Sequence, residues 1–243
     1  MNYKISAPII VENIERQGRN ELLIKLKELN AERVFLAIGS YNINIEKREK
    51  MLRAVKDNCE FFHSHGFEVG VWLWAFMFAE PTRYTPIIMV KPNEEISDLD
   101  ACPPDEEFLN FSGEFLQDIA SCGVDMIMFD DDLRFGFKEN GAMGCLCENH
   151  MKRICERLGE DISRKELVER IFEKPNNKYR DAWLAENGCS MEDFAISSRR
   201  YVDEVAPTVR VGFCACMNIW DLDGTDALTM TKLLAGNTRP FIR

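Results

Sequence analysis

Long apolar runs are missing from this sequence. The longest, Phe67 to Phe78, has Glu68 inside it and falls well short of the ~20 residues a membrane-spanning helix needs. The N-terminus, MNYKISAP, lacks the apolar core of a secretory signal, so a cytoplasmic protein is expected. Positive charge is scarce as well: 30 Lys and Arg face 41 Asp and Glu, giving a formal net charge of −11 and a pI near 4.9. No basic patch is left to meet nucleic acid or an anionic membrane, which excludes both as natural partners and favours neutral ligands. Neither a GxGxxG turn nor a GxxxxGKS/T loop occurs, so no organic cofactor is expected. The nine cysteines are an odd number, scattered from Cys59 to Cys216, and several fall inside apparent strands or helices. That pattern suits reduced, buried thiols rather than a disulfide framework.

What is present is enough apolar residue for one substantial core, 46% hydrophobic in 243 residues. Continuous apolar segments alternate with helical spacing. Strands are predicted over Lys4 to Val11, Arg33 to Gly39, Phe67 to Phe78, Val124 to Phe129 and Val209 to Met217, and Arg239 to Arg243 reads as the opening of a sixth. Between them, helices are predicted over Asn20 to Leu29, over Glu46 to His65, from Asp105 as cap to a stop at Gly123, over Met151 to Leu158, over Arg164 to Phe172 after the Ser163/Glu166 capping box, over Met191 to Val205 after Ser190, and over Asp226 to Leu234. The Pro-rich stretch after Phe78 reads as a long polar loop.

Strands apolar on both faces and alternating with helices imply a parallel sheet covered on both sides. Without a phosphate-binding turn, a parallel (β/α) TIM-type barrel is favoured over an open doubly wound sheet. Such a barrel takes roughly 250 residues and eight strands. Five strands and the start of a sixth occupy this sequence, so residues 1–243 are expected to form a single barrel domain truncated at its C-terminus. Polar and aromatic residues gather where strands end: Tyr41 and Asn42 after the second, Trp72 and Trp74 in the third, Asp130, Asp131, Asp132 and Arg134 after the fourth, and Asn218, Trp220, Asp221 and Asp223 after the fifth. The active site of a barrel is built at that face.

Three adjacent carboxylates repel one another, which raises at least one pKa and keeps a proton available, while Arg134 can hold a neighbour ionised. Strand alternation makes Asp130 and Asp132 an inward pair. Two blander readings stand beside this one: the aspartates cap the following loop and pair with Arg134, or they ligate a divalent cation. Trp72, Trp74 and Trp220 offer flat faces to a pyranose ring, although tryptophan in a strand is more often only core, Trp72 above all. Asp221 and Asp223 either bind hydroxyls or belong to a turn and helix cap. Cys145-x-Cys147-x-x-His150 has the spacing of a zinc knuckle, with a metal-free helix-opening turn as the alternative. His63 and His65 lie at a helix end and read as C-terminal helix charges.

The order CPPDEEFLNFSGEFLQDIASCGVDMIMFDDDLRF (from Cys102), GCLCENHMKRICERLG (from Gly144) and YRDAWLAENGCSMEDFA (from Tyr179) resembles the catalytic barrel of glycoside hydrolases of the clan that includes the family 42 β-galactosidases. In that family the fourth strand ends in an Asn-Glu pair whose Glu is the general acid/base, a zinc-holding cysteine knuckle follows, and the nucleophile comes after the seventh strand. The resemblance therefore implies Asp132 as acid/base, one methylene shorter than Glu, with Asp130 and Asp131 beside it. It also implies Cys102, from an earlier loop, as the fourth ligand of a structural zinc with Cys145, Cys147 and His150. The expected function is hydrolysis or binding of a carbohydrate at the C-terminal face. The alternative is a non-catalytic carbohydrate-binding or structural barrel carrying a zinc knuckle, and a homo-oligomer is left open.

Overall fold

The computed structural model describes residues 4–41, 43–88, 90, 96–135, 143–215 and 220–243, with the backbone alone at 220 and 221. The chain runs through β1 (Ser6–Ile10), α1 (Val11–Gln17), α2 (Arg19–Glu28), β2 (Arg33–Gly39), α3 (Ile45–Ser64) and β3 (Glu68–Leu73). An antiparallel hairpin of β4 (Pro86–Ile88) and β5 (Ile96–Ala101) follows, then α4 (Glu106–Ala120), β6 (Met126–Phe129), α5 (Glu148–Leu158), α6 (Arg164–Glu173) and α7 (Lys178–Val205). The chain closes with β7 (Arg210–Phe213), α8 (Trp220–Asp223) and α9 (Ala227–Ala235).

The main sheet is parallel, in the order β1-β2-β3-β6-β7. Spatial order follows chain order, with no reversal of the kind that makes the switch point of a doubly wound sheet. Successive staves of a TIM-type barrel have this arrangement. Arg33 lies opposite Ser6 and Glu68, Gly70 opposite Met126, and Met126 opposite Arg210. A parallel bridge from Phe213 to Ile242 begins a sixth stave where the sequence predicts one.

Alternation divides the strand residues between two cores. Val34, Leu36, Val69, Val71, Leu73, Ile127, Phe129 and Val211 face the helices. Phe35, Met126 and Met128 cluster on the opposite, inner face, with Trp72, Cys214 and Phe241 against them. Phe35 fills that interior so closely that a Cβ on Gly70 would lie 2.5 Å from its ring. The helices begin at side-chain caps: Asn44 accepts from the Lys47 amide at 3.0 Å, Asp105 from Phe108 at 2.8 Å and Ser163 from Glu166 at 3.2 Å.

Four elements differ from the sequence reading. The segment after β1 turns directly into α1, and Gly18 (φ 82°) separates α1 from α2. The Pro-rich loop contains the β4–β5 hairpin. Ser190 does not cap a helix: α7 is continuous for 28 residues, capped by Asn177, and Ser190 is buried in its interior. The strand predicted to reach Phe78 ends at Leu73, because the next residues leave the ladder to meet Asp132.

Candidate active site and metal centre

Asp130 extends the inward-facing register of Met126 and Met128 by one more step, its amide still bonded to the Leu73 carbonyl at 2.8 Å. It is half-buried, and its Oδ1 accepts from the Asp131 amide at 2.9 Å. Across the β6–β7 seam lies Cys214, whose amide donates to Phe129 O at 2.9 Å. Burial pushes the Cys214 thiol up to about 11; Arg243 opposes that shift, and the Asp130 charge adds to it. On the other side, Arg243 stacks over Trp72 at 4.7 Å, and Trp74 is half-buried just beyond the end of β3, its amide on Gly39 O at 2.9 Å. A carboxylate, two indoles and a guanidinium therefore ring the C-terminal end of the sheet.

Alternation stops at Asp130, because residues 131 and 132 form a turn in which Leu133 N bonds Asp130 O at 3.3 Å and Arg134 N bonds Asp132 O at 2.7 Å. Asp131 is exposed and Arg134 half-buried. Asp132 does not pair inward with Asp130. It is buried, and its carboxylate accepts from the amides of Ala75 (2.8 Å), Phe76 (2.9 Å) and Met77 (3.0 Å). Tyr41 grips the same segment from the β2 side, its hydroxyl donating to Ala75 O at 3.0 Å. That hydroxyl is buried among Phe78, Phe108, Phe111 and Phe115. Burial, and then the Asp132 charge, push it well above the ordinary tyrosine range, so it stays a neutral donor. Asp223 repeats the device one loop further on: buried in α8, it accepts from the Phe135 amide at 2.6 Å. Tyr41, Asp132 and Asp223 thus bind each βα loop to its neighbour, whereas Asp130 and Trp74 stand at the mouth. Asn42 and Asn218 lie outside the described residues, and so do the side chains of Trp220 and Asp221.

Beside the mouth, Cys102, Cys145, Cys147 and His150 converge, all buried, with their ligand atoms within 4.8 Å of one another. The hairpin delivers Cys102. Ala101 N bonds Phe76 O at 3.0 Å and Cys102 N bonds Thr85 O at 2.8 Å, while Leu146 N on Ile88 O (2.7 Å) and Val90 N on Met143 O (2.9 Å) lay the knuckle along β4. Cys102 Sγ lies 3.8 Å from Cys145 Sγ, 3.5 Å from Cys147 Sγ and 3.3 Å from His150 Nδ1, and Cys147 Sγ is also 3.3 Å from Nδ1. A tetrahedron built on zinc bonds of roughly 2.3 Å to sulfur and 2.0 Å to nitrogen has edges of about 3.5–3.8 Å, close to these four separations, so the group could hold a metal ion of that kind. Four protein donors leave no open position, which marks such a centre as structural rather than catalytic.

The charges suit a cation. Hydrogen bonds from Cys102 and Cys145 hold the Cys147 thiol far below its ordinary range, while burial and the neighbouring sulfurs push Cys102 well up. Burial would lower His150, but the charge on Cys145 and its hydrogen bonds to the sulfurs outweigh that and carry it up to about 10. Sequence reasoning missed Ser190, whose Oγ meets His150 Nε2 at 3.0 Å, because it looked like a helix cap. It also missed Cys214 and Arg243, which no motif marks. A cleft of about 740 Å³ between α1 and α3, floored by Ile14 and Met51, contains none of these residues.

Among solved structures, the β-galactosidase from the psychrophilic Marinomonas ef1 superposes with a TM-score of 0.64 over 96% of this chain, at 9% identity. The likeness is to glycosidase barrels. The β-galactosidase from Rahnella sp. R3 gives a TM-score of 0.64 over the whole chain at 11% identity, and the catalytic domain of β-amylase from Paenibacillus polymyxa 0.53 over 97% at 10%. At such identities the likeness is one of fold. The chain spans about 40% of the length of the Marinomonas enzyme, 39% of the Rahnella enzyme and 72% of the amylase domain. No protein-family model and no curated protein sequence matches it. No described helix is long and apolar enough to cross a membrane.

Proposed function

We propose that residues 1–243 form one barrel domain of the family 42 β-galactosidase type, acting on a carbohydrate at the C-terminal mouth of the sheet, with a fourth-strand aspartate as general acid/base. The observation that carries this reading is the position of Asp130: it follows β6 directly, in the inward-facing register of Met126 and Met128, between Trp72 and Trp74 on one side and Cys214 on the other. Indole faces suit the apolar face of a pyranose, and a half-buried carboxyl beside them can reach a glycosidic oxygen. Of the three aspartates, Asp130 takes the acid/base role in this proposal. Asp132 is less suited, because three amides already point at its oxygens and a proton there would displace one of them. Asp131 and Arg134 tune the charge at the mouth. The Cys102, Cys145, Cys147 and His150 centre holds zinc as a structural clamp. The fold of the β-galactosidases and the knuckle beside the fourth-strand aspartates support the reading.

Turnover of a panel of aryl glycosides, compared with Asp130→Asn and Asp132→Asn, tests it. Loss of general acid/base catalysis at Asp130 should lower kcat by roughly 10²–10⁴ while the fold is kept. Asp130→Asn turning over as fast as the unmutated protein removes the acid/base assignment. The second reading, a carbohydrate-binding barrel without hydrolysis, is favoured by Asp standing where the resembling enzymes have Glu. Calorimetric binding of oligosaccharides that stay intact would select it.

A further inference from the structure

The metal centre has a fifth participant that no ligand motif marks. His150 presents Nδ1 to the sulfurs, 3.3 Å from both Cys102 and Cys147, and the opposite ring nitrogen, Nε2, to Ser190 Oγ at 3.0 Å. An imidazole that ligates a cation through Nδ1 must carry its proton on Nε2, and that proton needs an acceptor when it is buried. Both residues are fully buried, and Ser190 lies in the interior of α7, where nothing at a helix end needs its hydroxyl. The ring has little freedom to turn, since Phe135 stands edge-on to it with centroids 5.8 Å apart.

We infer that Ser190 is a positioning residue of the metal centre: its hydroxyl accepts from His150 Nε2–H, selects the tautomer whose Nδ1 lone pair faces the three cysteine sulfurs, and ties α7 into the site. This rests on the metal reading above and adds to it. The four ligands join the end of the hairpin to the knuckle, and Ser190 extends that crosslink to the longest helix of the fold, the one that leads back to β7. Partners of this kind, beyond the ligands themselves, fix ring orientation, and losing one weakens metal binding by roughly 10–100-fold.

The test compares the unmutated protein with Ser190→Ala and Ser190→Thr, each stripped and reloaded. Alanine is a better helix former than serine, so Ser190→Ala should fold. Zinc affinity is read by competition with a chromophoric chelator and ligand geometry by the visible spectrum of the cobalt(II) form. The exchange rate of the His150 Nε2 proton is read by NMR. The expected result is a 10–100-fold loss of zinc affinity, shifted cobalt bands and faster Nε2–H exchange in Ser190→Ala, with Ser190→Thr restoring slow exchange because it keeps the hydroxyl. If the unmutated protein takes up no zinc or cobalt, the Cys₃His reading itself falls and Ser190 has nothing to orient. If it takes up metal and Ser190→Ala matches it in affinity, cobalt spectrum and proton exchange, the centre stands and the role of Ser190 is overturned.

Discussion

A carboxylate can accept about four hydrogen bonds, and Asp132 directs its acceptors at three consecutive amides of the segment that leaves β3. Truncation would strand those amides in a region where Ala75 and Phe76 are wholly buried, at a cost of about 1–3 kcal/mol for each unsatisfied donor before relaxation. Asp132→Ala is therefore expected to lower unfolding stability by about 3–5 kcal/mol, measured by urea denaturation. Exposed Asp131→Ala should cost under about 1 kcal/mol. Equal stability losses for the two variants would refute the tether. The sequence makes it plain that carboxylates gather at the end of the fourth strand. It does not reveal that a turn at residues 131–132 sends Asp132 away from Asp130, because alternation is a rule of strands and the strand has ended. Tyr41 and Asp223 were likewise legible as residues at the mouth, while their bonds to backbone in neighbouring loops depend on tertiary placement.

Elements were legible in proportion to their burial. β2, β3, β6 and β7 read as continuous apolar runs because both faces are covered, and α4 read from its phenylalanine stripe and the Asp105 cap. The hairpin escaped because β5, ISDLDA, is exposed along much of its length and its two strands lie off the main sheet. A two-stranded hairpin is marginal alone. Here it is secured by pairing with the knuckle and by Cys102 at its end. The cysteine cluster should therefore behave as the hairpin's anchor. In Cys147→Ser, or after chelation, the Val90, Cys102 and Leu146 amides should exchange with deuterium markedly faster, while the Val34 and Val71 amides of the staves keep their protection. Unchanged exchange at those three amides after proven metal removal would detach the hairpin's stability from the centre. Sequence spacing found three ligands and the resemblance supplied the fourth; the reason Cys102 arrives, a hairpin folded over the end of β3, was visible in neither.

At the scale of the whole molecule, the end of the sheet opposite the mouth is joined by charge. Glu68, at the start of β3, meets Lys4 ahead of β1 at 2.8 Å and Arg33 at the start of β2 at 2.6 Å, with Arg210 of β7 at 3.6 Å. Partial burial would raise its pKa, but hydrogen bonds from Lys4 and Arg33, backed by their charges, outweigh that and lower it from 4.5 to about 2. A folded-state pKa below the unfolded one adds stability that is complete above the unfolded value and is lost as protons bind. The window is thus pH 4.5 down to about 2. Taken alone the shift is equivalent to at most ~3 kcal/mol, and with a side chain 32% exposed, solvent screening reduces that to about 1–2 kcal/mol. Glu68→Gln should accordingly be less stable than the unmutated protein by about 1–2 kcal/mol at pH 6, and the gap should close as pH falls towards 2, which urea midpoints across that range measure. Other carboxylates titrate in both proteins, so the difference between them isolates Glu68. A gap that stays constant from pH 6 to the acid limit would show that Glu68 acts through packing and not through its charge, and the four elements it joins would then owe their alignment to the ladder and the inner core alone.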